Sequence, residues 1–315
     1  MPRTASKSAS KSSSETDILK LIEAPENPPA AGARRIGIHT STAGGVESSA
    51  ERAWRMGCNA LQIFTSSPRQ WRAAPVTAEQ SALMRERLQK YDLDPLVSHA
   101  NYLINVAGAN EEFHGKSVDA FRGEIERAIA LGAKYLVLHP GSFKGLTREE
   151  GLDKAVEALQ RSANGIDLAA GGLTVLMENT AGAEFSLGSG FEHVATLIER
   201  LKPHMPVAAC IDTCHCHAHG YDLVSEEGYE KTLQELASTV GLDAVRVVHC
   251  NDAKAPLGSK LDRHEQIGEG TMGLEPFRRL LHDKRLAHAA FIAETPIVAP
   301  LDDLKNVQTL RRLAE

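Results

Sequence analysis

Leu136-Val137-Leu138-His139 is a short apolar run that ends on an imidazole, and the chain repeats that construction five more times. Val97-Ser98-His99, Val175-Leu176-Met177-Glu178, Ala209-Cys210-Ile211-Asp212, Val245-Arg246-Val247-Val248-His249 and Phe291-Ile292-Ala293-Glu294 each end on a residue able to bind a metal. Chance would scatter six such side chains along and between strands. A closed parallel barrel brings the C-terminal ends of all its strands to one mouth. The repeated pattern therefore predicts a barrel and, at its mouth, a site for more than one metal ion.

The rest of the chain supports that architecture. Strand-like runs fall at 35–39, 60–64, 96–99, 135–139, 173–178, 207–212, 245–249 and 290–295. Helix-like stretches alternate with them at 45–56, 78–91, 117–131, 148–168, 191–201, 227–240, 274–282 and 301–313. Apolar spacing of three and four residues marks several, as in Phe121, Ile125, Ala128 and Ile129. Eight strands alternating with eight helices predict an α/β fold of the (β/α)8 TIM-barrel type, with its metal site at the C-terminal ends of the strands. An open doubly wound sheet is the alternative, but no GxGxxG follows the first strand.

The expected domain is 34–315. Residues 1–33 have a different texture: Arg3, Lys7 and Lys11 lie among Ser and Ala with no acid before Glu15, and Pro25, Pro28 and Pro29 follow. They are expected to form a disordered, mildly basic tail and linker, either without function or as an arm that tethers DNA. A mitochondrial presequence fits poorly, because Glu15 and Asp17 come early and arginine is scarce.

Composition narrows the classes further. The chain has 315 residues, 42% hydrophobic and 24% charged, which suits one soluble barrel with an extension. No apolar run approaches the ~20 residues of a membrane span, so no membrane partner is expected. Five cysteines, an odd count without an export signal, point to reduced thiols and a cytoplasmic, bacterial-type location. The formal charge of −6 counts at first against a nucleic-acid partner. Three bound divalent ions would cancel it, with the largest effect at the mouth.

Imidazole and carboxylate together suit zinc, manganese or iron(II). A lone His at a strand end is usually a hydrogen-bonded structural residue. Six ligand-type ends in register have no packing explanation, since buried charge is costly without counter-ions. Two clusters extend the ring formed by His99, His139, Glu178, Asp212, His249 and Glu294. His215 follows Asp212 by three residues, and Asp262-Arg263-His264 places a carboxylate and an imidazole where both can reach one ion. The glycines of Gly268-Glu269-Gly270 give a turn that lets backbone approach a ligand. Cys214, Cys216, His217 and His219 do not form a zinc-ribbon pattern. Cys210 and Cys214 read as small packing residues, and His217 and His219 as exposed or supporting residues.

These motifs, in this order, resemble those of endonuclease IV, the metal-dependent apurinic/apyrimidinic DNA endonucleases. The matching stretches run from Ile36 to about Thr295. They include Gly37-Ile38-His39, Pro68-Arg69-Gln70-Trp71-Arg72, His99-Ala100-Asn101-Tyr102-Leu103-Ile104-Asn105, Leu138-His139-Pro140-Gly141-Ser142 and Glu178-Asn179-Thr180-Ala181-Gly182. Cys210-Ile211-Asp212-Thr213-Cys214-His215, His249-Cys250-Asn251-Asp252, Asp262-Arg263-His264 and Glu294-Thr295-Pro296 complete the set. The resemblance implies three zinc ions: one on His99, His139 and Glu178; a second on Glu178, Asp212, His249 and Glu294; a third on His215, Asp262 and His264. Manganese or iron could replace zinc at some positions. It implies Glu178 and Glu294 as catalytic carboxylates, and Arg69, Tyr102 and Leu103 as residues that enter the DNA stack. It also implies a base-excision-repair activity: hydrolysis 5′ to an abasic site in duplex DNA, leaving a 3′-hydroxyl and a 5′-deoxyribose phosphate, with trimming of blocked 3′ ends. A monomer is expected. Residues 1–33 have no counterpart in compact members of the family, and Ser66, Ser67 and Pro68 lie in a loop that varies among them.

Two other readings remain open at this stage. A sugar isomerase or epimerase on a similar barrel needs one or two ions, which leaves His215, Asp262 and His264 without a role. A binding protein that has lost turnover would normally lack a ligand.

Overall fold

A computed structural model describes residues 18–30 and 32–315; the basic stretch at 1–14 lies outside them. Eight parallel strands form the barrel: β1 (Arg35–Ile38), β2 (Leu61–Phe64), β3 (Leu96–His99), β4 (Tyr135–Leu138), β5 (Thr174–Glu178), β6 (Val207–Asp212), β7 (Val245–His249) and β10 (Ala290–Ala293). Their order around the sheet is β1-β10-β7-β6-β5-β4-β3-β2. A parallel bridge between His39 and Gln62, with Thr40 N–H donating to the Gln62 carbonyl at 3.0 Å, closes β1 on β2. A two-stranded antiparallel ribbon, β8 (Asp252–Ala253) and β9 (His264–Glu265), stands beyond the end of β7.

The strands enclose two cores. Val97, Val137, Leu176, Ala208, Cys210, Val247 and Ile292 fill the barrel interior. A larger apolar layer, including Phe121, Ile125, Leu159, Phe191, Phe277 and Leu310, lies between strands and helices. Strand side chains alternate between these faces. Each mouth residue therefore falls two positions beyond an interior one: Val97 precedes His99, Val137 His139, Leu176 Glu178, Cys210 Asp212, Val247 His249, and Ile292 Glu294. This alternation is the physical origin of the repeated sequence pattern.

Helices α1 (Ser48–Arg55), α2 (Ala78–Lys90), α3 (Glu111–Leu131), α4 (Arg148–Ala163), α5 (Phe191–Leu201), α6 (Thr213–His219), α7 (Glu226–Thr239), α8 (Glu275–His282) and α9 (Asp302–Ala314) complete the chain. Thr77 with Gln80, and Thr147 with Glu150, form reciprocal caps at the starts of α2 and α4. α3 begins six residues earlier than its apolar spacing suggests, because Asn110 caps it by accepting the Phe113 N–H at 3.0 Å. α4 stops before the expected 168, where Asn164-Gly165 turns the backbone and Gly165 adopts φ +76°.

The expectation of a free linker up to residue 33 needs correction. Ile18–Lys20 form a 3₁₀ turn, and Ile18 and Ile22 pack against the core. Arg55 donates to the carbonyls of Leu19 and Ile22 at 2.8 and 2.9 Å. Among the described residues, no helix is long and apolar enough to cross a membrane.

Candidate metal centre

Glu178, at the end of β5, is fully buried at the centre of the mouth. Its Oε2 lies 3.2 Å from His99 Nε2 and 3.0 Å from His139 Nε2. Its Oε1 lies 3.0 Å from His249 Nδ1. One carboxylate thus faces two donor groups with its two oxygens. His249 Nδ1 also lies 3.1 Å from Glu294 Oε2 and 3.9 Å from Asp212 Oδ2. Beside them His215 Nε2 and His264 Nε2 stand 3.3 and 3.2 Å from the two oxygens of Asp262. Within each of three groups the potential ligand atoms lie within 4.8 Å of one another: His99, His139 and Glu178; Glu178, Asp212, His249 and Glu294; His215, Asp262 and His264. The nine residues singled out in the sequence therefore meet at one place.

Hydrogen bonds on the far side of four of the five rings fix which nitrogen faces the mouth. His99 Nδ1 lies 2.7 Å from the Ala100 carbonyl, His215 Nδ1 2.9 Å from the Asn179 carbonyl, and His264 Nδ1 3.0 Å from the Glu294 carbonyl. His249 Nε2 lies 2.9 Å from Gln62 Oε1. Each oxygen only accepts, so that nitrogen carries the proton and the other presents its lone pair to the carboxylates. A ring nitrogen 3 Å from a carboxylate oxygen needs a second proton on the ring or a cation between the two. His264 Nε2 is buried there with no hydrogen-bond partner.

The electrostatics agree. Burial alone would raise Glu178, but His139 and His249 outweigh it and hold the carboxyl well below its usual range. Burial would lower His249 and His215; the acidic groups around them hold both well above the ordinary imidazole value. Burial likewise opposes the shift of His264, which Asp212 and Asp262 raise to about 9. The acids of the cup attract positive charge, whether as protons on the imidazoles or as a metal ion. A divalent ion replaces such protons when it binds. Four carboxylates and five imidazoles, four of them oriented by hydrogen bonds, fit zinc, manganese or iron(II).

Local structure holds the cup in shape. Asp212 accepts the His215 N–H at 2.8 Å, so the same carboxylate caps α6 and faces the site. Asn251 donates to Asp212 Oδ2 at 2.6 Å and accepts the Glu294 N–H at 2.8 Å. His39 Nδ1 lies 2.9 Å from Glu294 Oε1, and the Gln62 amide donates to the same oxygen. Sequence reasoning assigned no role to His39 or Gln62. Ile36-Gly37-Ile38-His39 carries the same apolar-run signal as the other strands, whereas Gln62 lies inside its strand and carries none.

Two side readings change. The Gly268–Gly270 turn wraps a protein carboxylate rather than an external ligand: Gly268 and Gly270 N–H donate to Asp252 Oδ2, each at 3.0 Å. His217 is buried, 3.2 Å from Thr271 Oγ1, and His219 is half-buried. Cys210 and Cys214 lie close to ligand groups, but burial pushes both thiols up to about 12. They stay neutral at pH 7, as packing residues.

Tyr102 is 69% exposed, its ring edge-on to Phe64 at 5.2 Å. That removes core packing as its explanation. Leu103 beside it is half-buried and Arg69 is exposed. Tyr102 borders a cleft of about 450 Å³ that also reaches His139, His215 and Asp262.

A family model described as a xylose isomerase-like TIM barrel matches residues 50–313. A probable endonuclease 4 from Solibacter usitatus is 44% identical over 282 residues, covering 89% of this chain and 97% of that protein. The crystal structure of endonuclease IV from Thermus thermophilus superposes with a TM-score of 0.77 at 35% identity, covering 89% of this chain and 98% of that one. A D-tagatose 3-epimerase-like protein superposes at 0.64 with 21% identity, covering 89% and 97%, a likeness of fold alone.

Proposed function

We propose, from the premise that this chain belongs to the endonuclease IV family, that it is a zinc-dependent apurinic/apyrimidinic endonuclease. It would cut duplex DNA 5′ to an abasic site, leave a 3′-hydroxyl and a 5′-deoxyribose phosphate, and trim blocked 3′ ends. The carrying observation is Glu178, whose two oxygens face two donor groups while a third group stands alongside.

His99, His139 and Glu178 would hold one ion; Glu178, Asp212, His249 and Glu294 a second; His215, Asp262 and His264 a third. Bound there, divalent ions supply an acidified water at neutral pH and fixed positive charge for phosphate oxygens. The protein supplies the rest. Carbonyl contacts hold His99, His215 and His264 in the tautomer that presents Nε2. Asn251, His39 and Gln62 fix the carboxylates of Asp212 and Glu294 against rotation. The cleft beside Tyr102 has room for an extruded sugar-phosphate, which costs less to extrude when its base is gone. Arg69, Tyr102 and Leu103 would occupy the gap left in the stack. Five buried free thiols suit a reducing compartment such as the cytoplasm, and a monomer suffices for the chemistry.

The test is incubation of the metal-loaded protein with a duplex carrying one tetrahydrofuran abasic analogue. That analogue cannot undergo β-elimination, so a cut must be hydrolytic. Cleavage on its 5′ side alone, with a 3′-hydroxyl product, is expected. An intact duplex with metals confirmed bound would overturn the reading in favour of sugar isomerisation.

A further inference from the structure

Two loops carry the residues proposed to meet the abasic nucleotide. Arg69 lies on the loop after β2, and Tyr102 and Leu103 on the loop after β3. A buried carboxylate outside the metal cup joins the two from behind. Glu124, in α3, is 1% exposed. Its Oε2 accepts from Thr65 Oγ1 at 2.6 Å and lies 3.0 Å from the Arg127 guanidinium. Its Oε1 accepts from Asn101 Nδ2 at 3.3 Å and from Ser66 Oγ at 3.5 Å. Arg127 in turn donates to Thr65 Oγ1 at 2.9 Å. Thr65 and Ser66 begin the Arg69 loop; Asn101 begins the Tyr102 loop.

Asn101 is the crosspiece. Its Nδ2 also reaches the Gln70 carbonyl at 3.5 Å, and its Oδ1 accepts the Leu103 N–H at 3.0 Å. An amide satisfies all these partners in one orientation only. With the carboxylate of Glu124 behind it, the NH2 must face inward and the oxygen must face Leu103. A buried ion pair such as Glu124–Arg127 contributes little net stability, but it is well suited to fixing one arrangement among several.

We infer that Glu124 is a positioning residue that sets the Arg69 loop in register with the Tyr102–Leu103 tip, so that both reach the same damaged nucleotide. The inference rests on the endonuclease reading and adds a recognition strut to it. Glu124→Gln keeps the shape but leaves a single acceptor. If that acceptor stays with Thr65 and Arg127, the new NH2 opposes the NH2 of Asn101, which must flip and release Leu103.

The experiment is a double-mutant cycle on the full-length, metal-loaded protein, reading KM and kcat on the tetrahydrofuran duplex together with metal content. Glu124→Gln is expected to raise KM on the order of tenfold, with a smaller change in kcat and the metal content of the parent. In the Tyr102→Ala, Leu103→Ala background, where the positioned tip is gone, the same change should raise KM less than about twofold. Equal fold-changes in the two backgrounds, or a loss confined to kcat or accompanied by lost metal, would overturn the inference. Should Glu124→Gln not fold, Asn101→Ala cuts the strut from its other end and must show the same coupling. A parent protein that leaves the duplex whole overturns the endonuclease reading itself; a parent that cuts, with additive variants, overturns the strut alone.

Discussion

Two buried carboxylates in this chain respond to burial in opposite ways. Glu178 at the barrel mouth and Asp303 in the first turn of α9 are both nearly inaccessible to water. Burial pushes both towards the neutral acid. At Glu178 the imidazoles of His139 and His249 overcome it, and the carboxyl is held well below its usual range. At Asp303 nothing opposes it, the like charge of Asp302 adds to it, and the carboxyl rises to about 7. Burial of an acid is thus no sign of function by itself. What surrounds the acid decides whether it is a site or a cost.

That contrast can be broken most severely at Glu178. Glu178→Gln removes charge from two donor groups at once, and kcat on the tetrahydrofuran duplex should fall by about a thousandfold or more. A fully metallated variant retaining most activity would remove Glu178 from the chemistry. Chelation attacks the same region from the cation side. Stripping divalent ions with a strong chelator should abolish cleavage and lower the melting temperature, since metal binding adds to folding stability. Unchanged melting after confirmed metal loss would show that the cup contributes nothing to stability.

On the proposed function the mouth divides into chemistry and recognition, and one pair of substitutions sharpens that division. Tyr102→Ala with Leu103→Ala should leave metal content unchanged and weaken binding of abasic duplex by roughly tenfold to a hundredfold, the scale of lost base stacking. Equal affinity in a titration would end the wedge role. The smallest effect belongs to Asp303. Its folded-state value is raised, so its contribution to stability is fully present below about 3.8 and is lost as pH rises through about 7. Asp303→Asn should therefore match the parent near pH 4 and exceed it by at least about 1 kcal/mol above pH 7. Denaturant unfolding at the two pH values measures this; a gain independent of pH would mean that the ionised carboxylate carries no cost.

The barrel and its metal cup were legible because both obey the alternation of a strand. Val137 and His139, or Leu176 and Glu178, share a face by necessity. His39 was equally legible and went unassigned, since its run resembles the others. Gln62 was not legible: a polar residue inside β2 shows its purpose only when β1, β7 and β10 close around it. Nor was α6, whose residues Thr213-Cys214-His215-Cys216-His217 have weak helix preference and which depends on Asp212 as its cap. The docked turn at Ile18–Lys20 escaped because its partner, Arg55, lies 36 residues away from Leu19.

The two-residue step from interior to mouth has a consequence for how this protein can change. Six of the eight strands deliver a candidate ligand by parity. A single-residue deletion inside β5 would carry Glu178 to the position of Met177, which belongs to the outer apolar layer, and would turn the rest of the face over. Lineages can lengthen or shorten the loops of such a barrel freely, but they can edit its strands only in pairs of residues. The candidate ligand set and the packing of the interior are thus inherited together.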